Sequence, residues 1–292
     1  MPASPKDARG RTAAVRRVLV GILAANLVVV VVKLLVGARS GSLGVLGSAL
    51  DSAIDAANNV LALIVTAVAA KAPDEEHPYG HGKFETLGAL ALVGVLCVSS
   101  FELLRGAVNH LRGSPRAPAI TDLQILVLTG TLAVNAGVAW YERRRGHELE
   151  SEILNADSDH TRADVLMTLG VIAAVLLARG GLWWADPVIA ILVVIAILAV
   201  ASRILVRVVP VLVDERALPT DDIARVARDI AGVRRAYGIR SRGGANVRYA
   251  EVTIAVDGTA TVAEAHGIAD QVEGRLRREL GLHEVTVHVE PC

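Results

Sequence analysis

Four polar residues stand where a membrane helix should be apolar. Asp51 and Asp55 are spaced i, i+4 in SLGVLGSALDSAIDAANNVLALIVTAVAA, and His160 and Asp164 are spaced i, i+4 in NADSDHTRADVLMTLGVIAAVLL. That spacing puts each pair on one helix face, one side chain above the other. Two such faces opposed would present three carboxylates and one imidazole to a common point, enough for a four-coordinate metal. Oxygen donors with one imidazole and no thiolate fit tetrahedral Zn²⁺, and Fe²⁺, Co²⁺, Mn²⁺ and Cd²⁺ remain open on the same donor argument. Ca²⁺ and Mg²⁺ ask for more oxygens. These donors bind metal only when deprotonated, so protons compete for the site, and the imidazole of His160 is the natural proton carrier.

The cost of these acids argues that they are compensated. An ionised Asp at the centre of a membrane helix costs about 2.5 to 3.5 kcal/mol, so three unpaired ones would cost on the order of 8 to 10 kcal/mol. Helix capping or hydration at span ends would account for one acid more easily than for two i, i+4 pairs on separate helices.

The surrounding elements fit that setting. The chain has 292 residues, 53% of them hydrophobic and only 3% aromatic, with no formal net charge. That composition reads as membrane-embedded, and the neutral balance suggests no nucleic-acid partner. Cys97 and Cys292 are the two cysteines, too few for a disulfide framework or a thiolate cluster. Runs long enough to cross a hydrocarbon core of about 30 Å fall at 17–37, 44–70, 86–108, 119–141, 153–179 and 184–208. The fifth is weakest in hydropathy. Asp157, His160, Thr161 and Asp164 nevertheless fall at i, i+3, i+4 and i+7, a single polar stripe leading into an apolar run.

Residues 1–16 read as a basic cytoplasmic tail and not a signal peptide, since the apolar run that follows is too long and lacks a small-residue cleavage site. With that tail inside, the inner side collects Lys6, Arg9, Arg11, Arg16, Arg17, Lys71, Lys83, Arg143, Arg144 and Arg145. The outer side holds Arg39, Arg112, Arg116 and Arg179. The asymmetry places both termini in the cytoplasm. A six-helix membrane domain over 17–209 is therefore expected, followed by a soluble domain over 210–292. Its order αββαβ describes a small two-layer α+β module, ferredoxin- or metallochaperone-like, with alternating strands in YAEVTIAV and VTVHVE. Thr220, Asp221 and Asp222 mark a helix start.

Two further clusters carry metal-ligand types. In the loop KAPDEEHPYGHGKFE, Asp74, His77 and His81 combine carboxylate and imidazole, with Pro78 and Gly80 bending the chain between the histidines. In the soluble module His266, His288 and Glu290, with His283 as a further candidate, form a looser group. His288 and Glu290 share one face of the last strand, where polar residues commonly just face solvent.

The runs SGSLGVLGSALDSAIDAANN, HPYGHGKFETLGAL, ADSDHTRADVLMTLGV and LVDERALP, in this order and spacing over nearly the whole chain after residue 15, resemble the cation diffusion facilitator family of metal transporters. The resemblance implies a transport site of Asp51, Asp55, His160 and Asp164, in the Asp-Asp/His-Asp form of zinc-transporting members. It implies a loop site of Asp74, His77 and His81, and a homodimer in a prokaryotic inner or plasma membrane that exchanges divalent metal for protons. Lys83 and Asp214 match a charge interlock near the membrane surface. Members with a binuclear cytoplasmic site carry extra histidines where Tyr237 and Thr253 stand here, so that site is thinned. A metalloenzyme is disfavoured by the lack of an HExxH helix, and a passive cation channel by the lack of any filter signal.

Overall fold

A computed structural model describes residues 5–41, 43–112, 121–179, 182, 185–244 and 247–292. Residues 1–4 of the expected tail, Arg116, and the first residues of the fourth and sixth expected spans lie outside them. Two compact units emerge, Gly10–Val208 and Val209–Cys292, the latter grouped with the opening residues to Arg9.

Six long helices make up the first unit, the first and last of them running a few residues past its bounds: α1 Pro5–Ser40, α2 Leu43–Ala69, α3 Lys83–Arg112, α4 Asp122–Glu148, α5 Glu152–Arg179 and α6 Ala185–Leu212. Each contains a stretch long and apolar enough to cross a membrane. Val28, Val31, Leu50, Phe101, Leu126, Leu192 and Val206 are all exposed on their outer faces, as lipid-facing side chains are. The chain is an integral membrane protein.

Helix α1 begins before the expected first span: residues 5–16 are helical and continuous with it. A proline is tolerated in a helix's first turn, and Ala, Lys and Arg are good helix formers. Arg11 anchors this extension: Nε donates to Leu149 O at 2.6 Å and Nη2 to Glu150 O at 2.9 Å, with Glu85 at 3.7 Å.

Helices α4 and α5 pack against each other most extensively. The buried residues of α4 are Thr131, Asn135, Ala139, Glu142 and Gly146, one stripe at helical spacing, and mostly small or polar. Small residues let helix backbones approach closely, and in a membrane the packing and interhelical hydrogen bonds gained there drive association. Ser158 on α5 accordingly donates to the carbonyl of Ala139 at 2.9 Å, and a Cβ on Gly146 would stand 2.5 Å from Asn155 Oδ1. Where α3 meets α2, a Cβ on Gly88 would lie 2.6 Å from Val65 Cγ1 and 3.2 Å from Ile153 Cδ1. Gly88→Leu should therefore wedge these helices apart, at more than the roughly 1 to 3 kcal/mol typical of overpacking. A fall in thermal aggregation temperature of the detergent-solubilised protein reads the effect, and an unchanged temperature would refute the close approach.

The second unit has the αββαβ order: α7 Thr220–Arg228, β1 Arg235–Gly243, β2 Arg248–Val256, α8 Val262–Leu280 and β3 Glu284–Pro291. The sheet order is β1-β2-β3, with β1 antiparallel to β2 and β2 parallel to β3. A parallel neighbour requires a crossover, and α8 supplies it. Thr261 and Glu264 close a reciprocal capping box at its start, and Gly281 ends it in the left-handed region. Ile223, Val226, Val252, Ile254, Val272, Leu276, Leu282 and Val285 form the core between the helices and one sheet face. At α7, the N-cap is Pro219 with no side-chain cap, and Thr220 is the first helical residue.

Candidate metal-transport site

Asp55 on α2 and His160 and Asp164 on α5 offer ligand atoms that all lie within 4.8 Å of one another. His160 Nε2 stands 3.9 Å from Asp55 Oδ1 and 3.6 Å from Asp164 Oδ2. The ring is 5% exposed. On α2 the polar face continues past Asp55 to Asn58 and Asn59, three and four residues on. The Asn58 amide nitrogen lies 3.1 Å from His160 Nε2. With the amide oriented this way Nε2 accepts, so a neutral ring carries its proton on Nδ1, a buried atom without a hydrogen-bond partner among the described residues. The Nε2 lone pair is thus engaged by Asn58 while the site is empty, beside two carboxylates whose charges would balance a divalent ion.

Asp51 departs from the expected quartet. It is exposed and does not join the cluster. An i, i+4 pair shares a face but stands one turn, about 5.4 Å, apart along the axis, and here the turn bearing Asp55 is the one that meets His160. The turn bearing Asp51 instead receives Lys33 of α1, a buried ammonium that donates to Ser52 Oγ at 2.8 Å and Ser48 O at 3.1 Å. It is close enough to act electrostatically on both Asp51 and Asp55.

Beside the cluster lies a second polar layer that reading the sequence for ligand types passes over. Asn59 Nδ2 donates to Asp157 Oδ2 at 3.1 Å, and Asn26 Nδ2 to Asn59 Oδ1 at 2.7 Å. Thr161 donates to Glu142 Oε2 at 3.0 Å. Asp159 gathers Arg207 at 2.5 Å, Arg143 at 3.3 Å and Arg162 at 3.8 Å, from α6, α4 and α5. Next to three arginines Glu142 reads in the sequence as a span-end charge. Its signal was the α4 stripe running from Thr131 through Asn135.

The loop cluster also assembles. His77 Nδ1 lies 3.2 Å from Asp74 Oδ1, and His81 Nε2 lies 3.3 Å from Asp74 Oδ2. The two rings are 4.4 Å apart. Gly80, at φ 84°, and the turn bonds Asp74 N–H to His77 O and Gly80 N–H to His77 O fold the segment back. The His77 backbone N–H donates to Asp74 Oδ1 at 2.7 Å, and that bond chiefly holds the Asp74 carboxyl below the usual carboxylate range, helped by the two imidazoles. Asp74 thus stays anionic to lower pH than an ordinary aspartate.

The third group stays dispersed within one chain. His266 on α8 faces Asp270 at 3.6 Å and His288 on β3 faces Glu290 at 3.6 Å. Among the described residues neither joins a cluster of three ligand atoms. Tyr237, Thr253 and His288 form one row across the sheet. Tyr237 donates its hydroxyl to Glu290, which raises the phenol above its usual range. His283 packs edge-on against Tyr249 instead. Lys83 opens α3, and Asp214, at φ 53°, lies 3.8 Å from Arg242 of its own unit.

The architecture is thus six helices of membrane-spanning length, two of which bring a buried imidazole together with two half-buried carboxylates, followed by a small mixed-sheet domain. Residues 19–213 match the cation efflux transmembrane domain and residues 218–292 the cation efflux protein cytoplasmic domain. The chain belongs to the cation efflux family, the cation diffusion facilitators. It is 30% identical over 280 residues to the Cation-efflux pump FieF of Cronobacter sakazakii, covering 95% of this chain and 92% of that one. With the Cation-efflux pump FieF of Pectobacterium atrosepticum it shares 31% over 278 residues, covering 93% and 91%. Among solved structures, a variant of the MamM-CTD is 26% identical, covering 25% of this chain and 91% of that chain at a TM-score of 0.24.

Proposed function

We propose that the protein exports divalent metal, Zn²⁺ foremost, from the cytoplasm of a bacterial cell in exchange for protons. It works as a homodimer in the inner membrane with both termini cytoplasmic. The observation that carries this reading is the Asp55–His160–Asp164 cluster inside two membrane-spanning helices. Polar ligands at such depth mark an ion path by default. The relatives' names as cation-efflux pumps support the direction of transport.

In this mechanism the two carboxylates and the imidazole replace the ion's hydration shell, and Asp51 supplies a fourth ligand when α2 shifts along α5. Asn58 yields His160 Nε2 to the metal. Once the site opens outward, protons entering the carboxylates and imidazole displace the ion, because each donor binds metal only when deprotonated. The bundle then returns protonated, which is alternating access driven by differential affinity. The same donors admit Fe²⁺, Mn²⁺, Co²⁺ and Cd²⁺.

Proteoliposomes with an internal metal indicator test the proposal. Zinc flux should accelerate when an opposing proton gradient is imposed, and flux indifferent to that gradient would replace the antiporter with a channel. For the loop site, His77→Ala with His81→Ala should lower equilibrium zinc by about one ion per chain, measured by elemental analysis of dialysed protein. Unchanged stoichiometry would remove the loop from the ligand set.

A further inference from the structure

Glu142 on α4 and Asp157 on α5 are 0% and 1% exposed, and Thr161 Oγ1 stands between the two residues, 3.0 Å from Glu142 Oε2 and 3.1 Å from the Asp157 carbonyl oxygen, so that the two carboxyl groups act on each other inside the bundle. No arginine or lysine is paired with either among the described residues. The donors available are few: Thr161 Oγ1 to Glu142 Oε2, and Asn59 Nδ2 to Asp157 Oδ2. Glu142 Oε1 is buried and receives no hydrogen bond among the described residues. Two neighbouring carboxylates in a low-dielectric interior cannot both ionise without a large cost, and an O–H on one would supply a donor to the other. The other titratable groups that act on the pair are Asp55 from α2, and His160 and Asp164 from α5 itself.

We propose that Glu142 and Asp157 form a proton-binding site, separate from the metal ligands, that holds one shared proton while the transport site is empty and releases it when a divalent ion binds. The proposal rests on the transport reading and deepens it by placing one coupling proton outside the metal ligands. With the proton bound, one carboxyl donates its O–H to an oxygen of the other and the pair carries a single negative charge. A divalent ion among Asp55, His160 and Asp164 favours the doubly ionised pair, and the proton leaves. Coupling of this kind is reciprocal: whatever metal does to proton affinity, the proton does equally to metal affinity. The connection is physical, since Asp157 lies three residues before His160 and Asn59 lies four after Asp55, each hydrogen-bonded to the other.

The experiment uses the full chain in detergent, with His77→Ala and His81→Ala as background so that zinc reports the transport site. In infrared spectra, a protonated carboxylic C=O band should be present without metal, shift when the protein is labelled with [¹³C]glutamate or [¹³C]aspartate, and fade on zinc addition. Absence of a label-sensitive band, or its persistence with zinc bound, overturns the proposal without any variant of the pair needing to fold. Glu142→Gln should abolish the band and make the pH dependence of zinc affinity shallower by about one proton. An unchanged slope overturns it equally. Asp157→Asn repeats the test should the first variant not fold. If the parent protein binds zinc and shows this band yet moves no zinc in proteoliposomes, the transport reading fails while the proton site stands.

Discussion

Asp164→Asn should reduce proton-driven zinc flux by at least about 100-fold, since replacing even an outer-shell partner of a metal ligand costs some 10- to 100-fold. The substitution keeps size and polarity, removes one of two negative charges, and leaves His160 Nε2 with a single carboxylate, Asp55, at 3.9 Å. A divalent ion would then sit buried with one unbalanced charge. The measurement is zinc uptake into inside-out vesicles under an imposed pH gradient. Asp51→Ala should also abolish uptake if Asp51 joins the ligands during the cycle. Because Asp51 is exposed here and stands apart from the cluster, the two variants separate in equilibrium binding. Asp164→Asn lowers zinc affinity in every conformation, whereas the Asp51 variant lowers it only in the conformation that recruits that turn. Wild-type flux in Asp164→Asn would remove the site assignment altogether.

Leu276→Ala carries the second large effect. The side chain is 0% exposed in the core of the C-terminal unit, and truncating a buried leucine costs about 2 to 5 kcal/mol, the upper end where the surroundings cannot collapse. Its neighbours are held from three directions by the capped α8, the sheet and α7, so collapse is restricted. Hydrogen exchange of β2 amides in the full chain should quicken by roughly 30-fold or more, since each 1.4 kcal/mol is a factor of ten in an opening equilibrium. The three tryptophans, Trp140, Trp183 and Trp184, all precede this unit, so intrinsic tryptophan fluorescence would not report it. Protection of β2 equal to wild type would contradict the packing described.

Much of this architecture was legible because the signals are periodic and strong. Six apolar runs of membrane length survive errors at their ends, and the alternation in YAEVTIAV and VTVHVE can satisfy only a half-buried strand. The opening turns of α1 were not legible. Hydropathy detects burial in lipid, whereas residues 5–16 are helical through propensity and through Arg11 reaching carbonyls far along the chain at Leu149 and Glu150. The weakly apolar first half of α5 was legible from its stripe, because four polar residues at i, i+3, i+4 and i+7 demand a polar neighbour.

For the site itself, the sequence determined which residues could bind metal: the ligand types and the i, i+4 spacings of Asp51, Asp55, His160 and Asp164 are local properties, fixed by helix geometry before any packing. Tertiary structure decided which of them meet. It brought Asp55 to His160 and Asp164, left Asp51 outside and set Lys33 against its turn. It also closed Asn59 on Asp157 and Thr161 on Glu142, pairs separated by 98 and 19 residues. The physical reason is that spacing fixes a side chain's angle around its own helix, while contact between helices depends on crossing position and relative height. Those are set by the small residues along α4 and by Gly88 between α2 and α3, through packing that no single segment encodes.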